Sequence, residues 1–237
     1  MINDEHTTEI ETFLGNIPDR FIVTRECLDD SVYEEYLRHI QEVAIPPDEA
    51  SLIQASQCLF DTKTSELHKQ GLLAQLALLG TVQAYRIIEK YVGQPDPALA
   101  QWSKIALYEC RMTLENELLE QNTGIISTGL GGEQHRLRYM AVTKLVHPVL
   151  EEQRADIKQI WDHICQQEDS RLEQIHFDTG YLMVTILVSM EVAVGKVIEE
   201  SITMINREQK LVYQHYFVTN VAIPTHEEIQ AYLNEVA

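Results

Sequence analysis

Gly124, Gly129, Gly131 and Gly132 fall within nine residues, and the apolar pattern changes period across them. Before this stretch apolar residues recur at the spacing of one helix face. After it they come in alternating or continuous runs of strand length. The two periods require different secondary structures, so the chain divides at the glycines. This predicts an α+β protein with a helical domain over 1–122, a glycine-rich linker over 123–136 and an α+β domain over 137–237.

The helical part is punctuated throughout. Ser31 and Glu34 form an S-x-x-E capping box ahead of Tyr33, Tyr36, Leu37 and Ile40. Pro46-Pro47 stops that helix, and Asp48 caps the next, which carries Leu52, Ala55 and Leu59. A third helix follows Thr64, runs through Leu67, Leu72, Leu73, Leu76 and Leu79, and ends at Gly80. Ala84, Ile87, Ile88 and Tyr91 stripe a fourth, closed by Gly93. Beyond Pro95-Asp96-Pro97, a long helix carries Trp102, Ile105, Ala106, Cys110, Leu114 and Leu118. Leu76-Ala77-Leu78-Leu79 and Ile105-Ala106-Leu107-Tyr108 are similar segments about 29 residues apart, each late in the first helix of a pair. Over residues 48 to 120 this resembles HEAT-like repeats, whose helix pairs stack into a short solenoid; a plain helical bundle is the other arrangement compatible with the pattern.

The second part reads as β-α-β-β-α-β. Leu137–Leu145 is a strand. Pro148 opens a helix with Val149, Ile157, Ile160, Trp161 and Ile164. Arg171–Phe177 and Tyr181–Ser189 are strands joined by a tight turn at Asp178-Thr179-Gly180. The second of these is apolar at nearly every position, which places it inside a sheet. A helix with Val194, Ile198, Ile202 and Ile205 precedes a fourth strand, Val212–Ile223. Thr225 and Glu228 box a terminal helix. This order is that of a ferredoxin-like module.

The layout resembles a group of uncharacterised bacterial proteins that join a HEAT-like segment to a ferredoxin-like module. The residues behind this are Ser127-Thr128-Gly129-Leu130-Gly131-Gly132, the following Leu137-Arg138-Tyr139, and His215-Tyr216-Phe217-Val218-Thr219-Asn220-Val221. The resemblance implies a bacterial protein and transfers no activity.

Charge bounds the partners. Lys and Arg number 18 against 37 Asp and Glu, for a formal charge of -19. Such a surface repels nucleic-acid backbones and anionic membranes. It suits a basic protein partner, and it also serves solubility. The first eleven residues are polar and acidic, unlike a signal peptide, and the four cysteines are scattered; a cytoplasmic location with reduced thiols is expected.

Each candidate site has a plain structural alternative. Gly129, Gly131 and Gly132 lead into His135, Arg136 and Arg138. Exposed backbone N–H groups beside cations are the makings of an anion or effector site, whereas glycines that only bend a linker would look the same. His163, Cys165, Glu168, His176 and Asp178 are metal-binding types but lack the spacing of a four-ligand set, so neither metal nor cofactor is expected. Tyr139 and Tyr181 lie on the strands an RNA-recognition domain uses, in a chain too acidic for that role. Glu151-Glu152 and Glu199-Glu200 read as solvated helix surface. No nucleophile–base pair is legible, so no catalytic residue is assigned. The expectation is a non-catalytic protein-interaction or scaffolding protein, its partner another protein or a second copy of itself. The alternative is a regulatory module sensing a small ligand at the glycine-rich stretch.

Overall fold

A computed structural model describes residues 18, 20–43, 48–120 and 123–236. The fold is α+β and divides into two compact units. One takes the chain up to Ile22 together with Leu28–Ile126; the other takes Val23–Cys27 and Ser127–Ala237.

Strand β1 (Arg20–Val23), whose first three residues belong to the first unit, pairs with β2 (Thr123–Ile126), and among the described residues five α-helices lie between them in sequence. These are α1 (Asp30–Glu42), α2 (Glu49–Ala55), α3 (Glu66–Leu79), α4 (Val82–Val92) and α5 (Ala100–Leu119), with 3₁₀ turns at Ser56–Phe60 and Pro97–Leu99. Helix α5 packs against α1, α3 and α4. Tyr36, Leu73, Leu76, Ala77, Ile88, Trp102, Ile105 and Ala106 form the buried centre.

Several expected boundaries shift for local reasons. Asp29, not Ser31, caps α1: its Oδ1 accepts the Ser31 and Val32 N–H groups at 2.9 and 3.2 Å. A carboxylate satisfies two orphan donors and also meets the positive helix end, which a hydroxyl does less well. Ser31 donates its hydroxyl to the same oxygen. The Pro46-Pro47 stop lies outside the described residues. Asp48 caps α2 as expected. Gly80 ends α3 in the left-handed region at φ +60°. The expected stripes are not buried along their whole length: Leu67 on α3 and Leu118 on α5 are both exposed.

The second unit holds β3 (Gly132–Glu133), β4 (Arg136–Leu145), α6 (Glu151–Gln167), β5 (Ser170–Asp178), β6 (Tyr181–Ser189), α7 (Val194–Ile205), β7 (Val212–Thr219) and α8 (His226–Glu235). Its main strands run in the order β7-β4-β6-β5, every neighbour antiparallel, and β3 pairs with the start of β4. Strand β6 is interior, as its apolar run requires. Alternation along the strands sends Ala141, Val184, Ile186 and Val188 to one face, where α6 and α7 cover them with Ile157, Trp161, Ile164, Ile198 and Ile202. On the other face Val142 and Tyr181 cluster with Ile229 of α8, flanked by Phe217 and Tyr232.

Three expectations are corrected here. Helix α6 begins at Glu151 rather than at Pro148; the Leu150 N–H is held at 2.8 Å by Gln153 Oε1, which sets the first turn. Strand β7 ends at Thr219, not Ile223, because the Asn220 carbonyl accepts from Leu130 N–H instead of continuing the ladder with β4. Residues 123–136 are not free linker: they contain β2, β3 and a hydrogen-bonded turn.

Candidate functional site

The six residues expected to hold an anion are brought together, but as structure. Gly131 N–H donates to Thr128 O at 2.8 Å and Gly132 N–H to Thr24 O at 2.7 Å. Gly129 packs so closely on Val221 that a Cβ there would stand 1.3 Å from the Val221 carbonyl oxygen. The glycines are therefore required for close backbone approach, and two of their N–H groups are already spent.

The cations beside them are also committed. Arg138 grips Glu173 with Nε and one terminal nitrogen, the latter at 2.9 Å, and donates its other terminal nitrogen to Leu130 O at 2.8 Å. A forked guanidinium–carboxylate pair is among the stronger polar contacts available. Arg136 pairs with Asp169, whose other oxygen lies 3.3 Å from His135 Nε2. Arg171 pairs with Glu133. These contacts hold the Asp169 and Glu133 carboxyls below the usual carboxylate range, in each case chiefly through the hydrogen bond from the arginine. The result is a lattice of neutralised charge that ties β3, β4 and β5 together.

The other candidate residues are also scattered or buried. Cys165 is in the core, and burial pushes its thiol up to about 12; Cys110 behaves the same way for the same reason. Both are protonated at neutral pH and are poor nucleophiles. His176 lies 3.9 Å from Asp178 on the hairpin. Among the described residues no group of three His, Cys, Asp or Glu is arranged to hold a metal ion. Nor is any described helix long and apolar enough to cross a membrane.

A second candidate lies within the helical unit. A cleft of about 660 Å³ is lined by Leu59, Phe60, Lys69, Lys90, Tyr91 and Asp96, with Thr62, Gly93 and Gln94. This volume falls in the range of small-ligand sites. Lys69 on α3 is only 2% exposed. A lysine is rarely buried so fully unless it is paired, and its Nζ lies 2.7 Å from Asp96 Oδ2. The same carboxylate oxygen accepts the Tyr91 hydroxyl at 2.5 Å, while Asp96 N–H donates back to the Tyr91 oxygen at 3.3 Å. Lys69 and then Tyr91 hold the Asp96 carboxyl below its usual range. Burial, and next the bond to Asp96, pushes the Tyr91 phenol up to about 12.

At the edge of this cleft Phe60 is 46% exposed. Its ring meets Tyr91 edge-on at 6.0 Å between centroids, and Lys90 Nζ stands 4.8 Å from its centre. The cleft thus offers a buried ammonium at its floor and an exposed aromatic with a second ammonium at its edge. Nothing in the helical spacing announces this cleft. The available signal was Lys69 itself: it occupies the position before Leu72, Leu73 and Leu76 at i, i+3, i+4, i+7, where the stripe calls for an apolar residue. Its partner Asp96 is 27 residues away, between two prolines.

No protein-family model matches the chain, and no curated protein matches it. Among solved structures it is similar to one described as a "putative transposase from deinococcus radiodurans r1", with 15% sequence identity and a TM-score of 0.37. The match covers 44% of this chain and 93% of that one. A likeness this slight carries no argument about fold or function.

Proposed function

We propose that this chain is a non-catalytic interaction protein of the bacterial cytoplasm, in which the helical unit takes a protein partner through the cleft at Phe60 and Lys69. The observation that carries this reading is the half-exposed Phe60 ring braced by Tyr91 and Lys90. A large aromatic held rigid at the edge of a cleft supplies contact area at little entropic cost, which is why such residues dominate binding interfaces.

The helical unit is read as HEAT-like because its two similar segments bury matching positions, Leu76-Ala77 on α3 and Ile105-Ala106 on α5. The strand order β7-β4-β6-β5 with its two crossing helices supports a ferredoxin-like module. The acidic excess of residues 1–132, 21 Asp and Glu against nine Lys and Arg, favours a partner that is basic overall. The alternative, an effector held at the glycine-rich stretch, has less support, since it would have to displace Asp169 and Glu173 from their arginines.

The test uses the full chain as bait in lysate at low and high salt, beside Phe60→Ser and a control at an exposed apolar residue elsewhere, Val221→Ser. The reading expects a protein retained by wild type and the control and lost by Phe60→Ser. Equal retention by all three would remove the cleft from the contact.

A further inference from the structure

We infer that the cleft between Lys69 and Phe60 recognises a carboxylate joined to a flat apolar group. This rests on the proposed role of the cleft as the binding site, and adds the chemistry of what enters it.

The lining residues carry two ammonium groups, Lys69 and Lys90, against one carboxylate, Asp96. In a chain with a formal charge of -19 this lining is richer in cations than the average surface, with Glu66 the further acid that acts on Tyr91. An ammonium has three N–H donors, and Asp96 accepts one of those on Lys69. The Asp96 contact fixes Lys69 at a floor formed with Leu59 and Tyr91. A second anion entering there meets an ammonium already fixed in position by Asp96, so little further side-chain ordering is needed. At the edge, the Phe60 face accepts a planar group, and Lys90 lies close enough to reach the same anion or to remain over the ring. A neutral planar ligand would gain only the Phe60 contact. A bare inorganic anion would gain only the lysines. The arrangement favours a ligand that carries both.

Two sources share this chemistry: a free aromatic acid, and the C-terminal carboxylate of a protein ending in an aromatic residue. Calorimetry on the full chain with benzoate, benzamide and inorganic phosphate tests the chemistry. Peptides ending in Phe, with a free or an amidated C-terminus, then separate the sources. Benzoate should bind with Kd on the order of 1 mM, and benzamide and phosphate each about tenfold more weakly or not at all. Lys69→Met should abolish the preference for benzoate over benzamide. Should Lys69→Met fail to fold, Lys90→Glu and Phe60→Ala, both at exposed positions, carry the test: the first weakens benzoate alone, the second weakens benzoate and benzamide together. A free-acid peptide binding more tightly than benzoate assigns the site to a chain terminus; equal or weaker binding assigns it to a small acid. Benzoate and benzamide binding alike, benzoate failing to bind, or benzoate binding unchanged by the cleft variants would overturn the inference. If Phe60→Ser still loses a protein partner in that case, the cleft remains a contact surface and only its ligand class is wrong.

Discussion

Lys69, Asp96 and Tyr91 show how strongly one polar triad depends on where each member sits. Lys69 is buried, whereas the Asp96 side chain keeps 36% of its exposure. Removing the counter-ion therefore strands a buried charge, and removing the lysine leaves a carboxylate that water can still reach. Asp96→Asn should cost about 2 kcal/mol, less than the loss of a fully buried partner because Asp96 is partly solvated. Lys69→Met should cost less than Asp96→Asn, since its thioether chain fills the same space without a charge. Urea denaturation of both variants checks the order. The triad also sets two pH windows. Asp96 has a folded pKa below its unfolded value, so its contribution is present above about pH 4 and is lost as pH falls through the folded value. Tyr91 has a folded pKa of about 12 against an ordinary 10, so the unfolded chain releases its proton first and stability falls as pH rises from about 10 towards 12. Tyr91→Phe should lessen the alkaline loss in a series of urea midpoints, the other buried tyrosines such as Tyr36 keeping the remainder, and should weaken the acid loss without removing it, since Lys69 still holds Asp96. None of this was legible from spacing, because the triad joins α3, α4 and the Pro95–Pro97 turn; only the misplaced lysine in an apolar stripe marked it.

At the level of elements, the readable features were those fixed by local chemistry. The Thr225 and Glu228 box forms as drawn: Thr225 Oγ1 accepts from Glu228 N–H at 3.2 Å, and Glu228 Oε2 accepts from Thr225 N–H at 2.7 Å. Strand β6 is interior because both its faces are apolar, and the two-residue turn at Thr179-Gly180 joins it to β5. Trp161 lies on the apolar stripe of α6 and is 1% exposed. Trp161→Ala should cost about 3–5 kcal/mol, the usual range for emptying an aromatic core position, and thermal unfolding reads it directly. The glycine-rich stretch misled because flexible linkers and tightly packed turns use the same residue. Two substitutions separate these uses. Gly129→Ala forces a Cβ into the Val221 carbonyl and should cost about 3 kcal/mol or more. Gly180 has φ +87° but open space around it, so Gly180→Ala should cost only about 1 kcal/mol of backbone strain. A linker would tolerate alanine at Gly129 as readily as the open turn tolerates it at Gly180. The cations after the glycines were equally ambiguous, since their partners Asp169 and Glu173 arrive from β5 and the turn before it, more than 30 residues later.

For the molecule as a whole, the charge and the two-part division were visible in the sequence, and the location of the cleft was not. The division follows from the change of apolar period at the glycines, although the structured units meet the chain differently: Val23–Cys27 belongs with the second unit, a long-range pairing that no local pattern announces. The formal charge of -19 describes the average surface, while the lysine pair in the cleft runs against it. Binding through the cleft should therefore combine a salt-sensitive approach with a contact that depends on Phe60 and Lys69. The most direct test is retention of a partner by the full chain, compared among wild type, Phe60→Ser and Val221→Ser at low and high salt. One retained protein is expected, weakened by salt, absent with Phe60→Ser and unaffected by Val221→Ser. Retention that is equal in all three would contradict it.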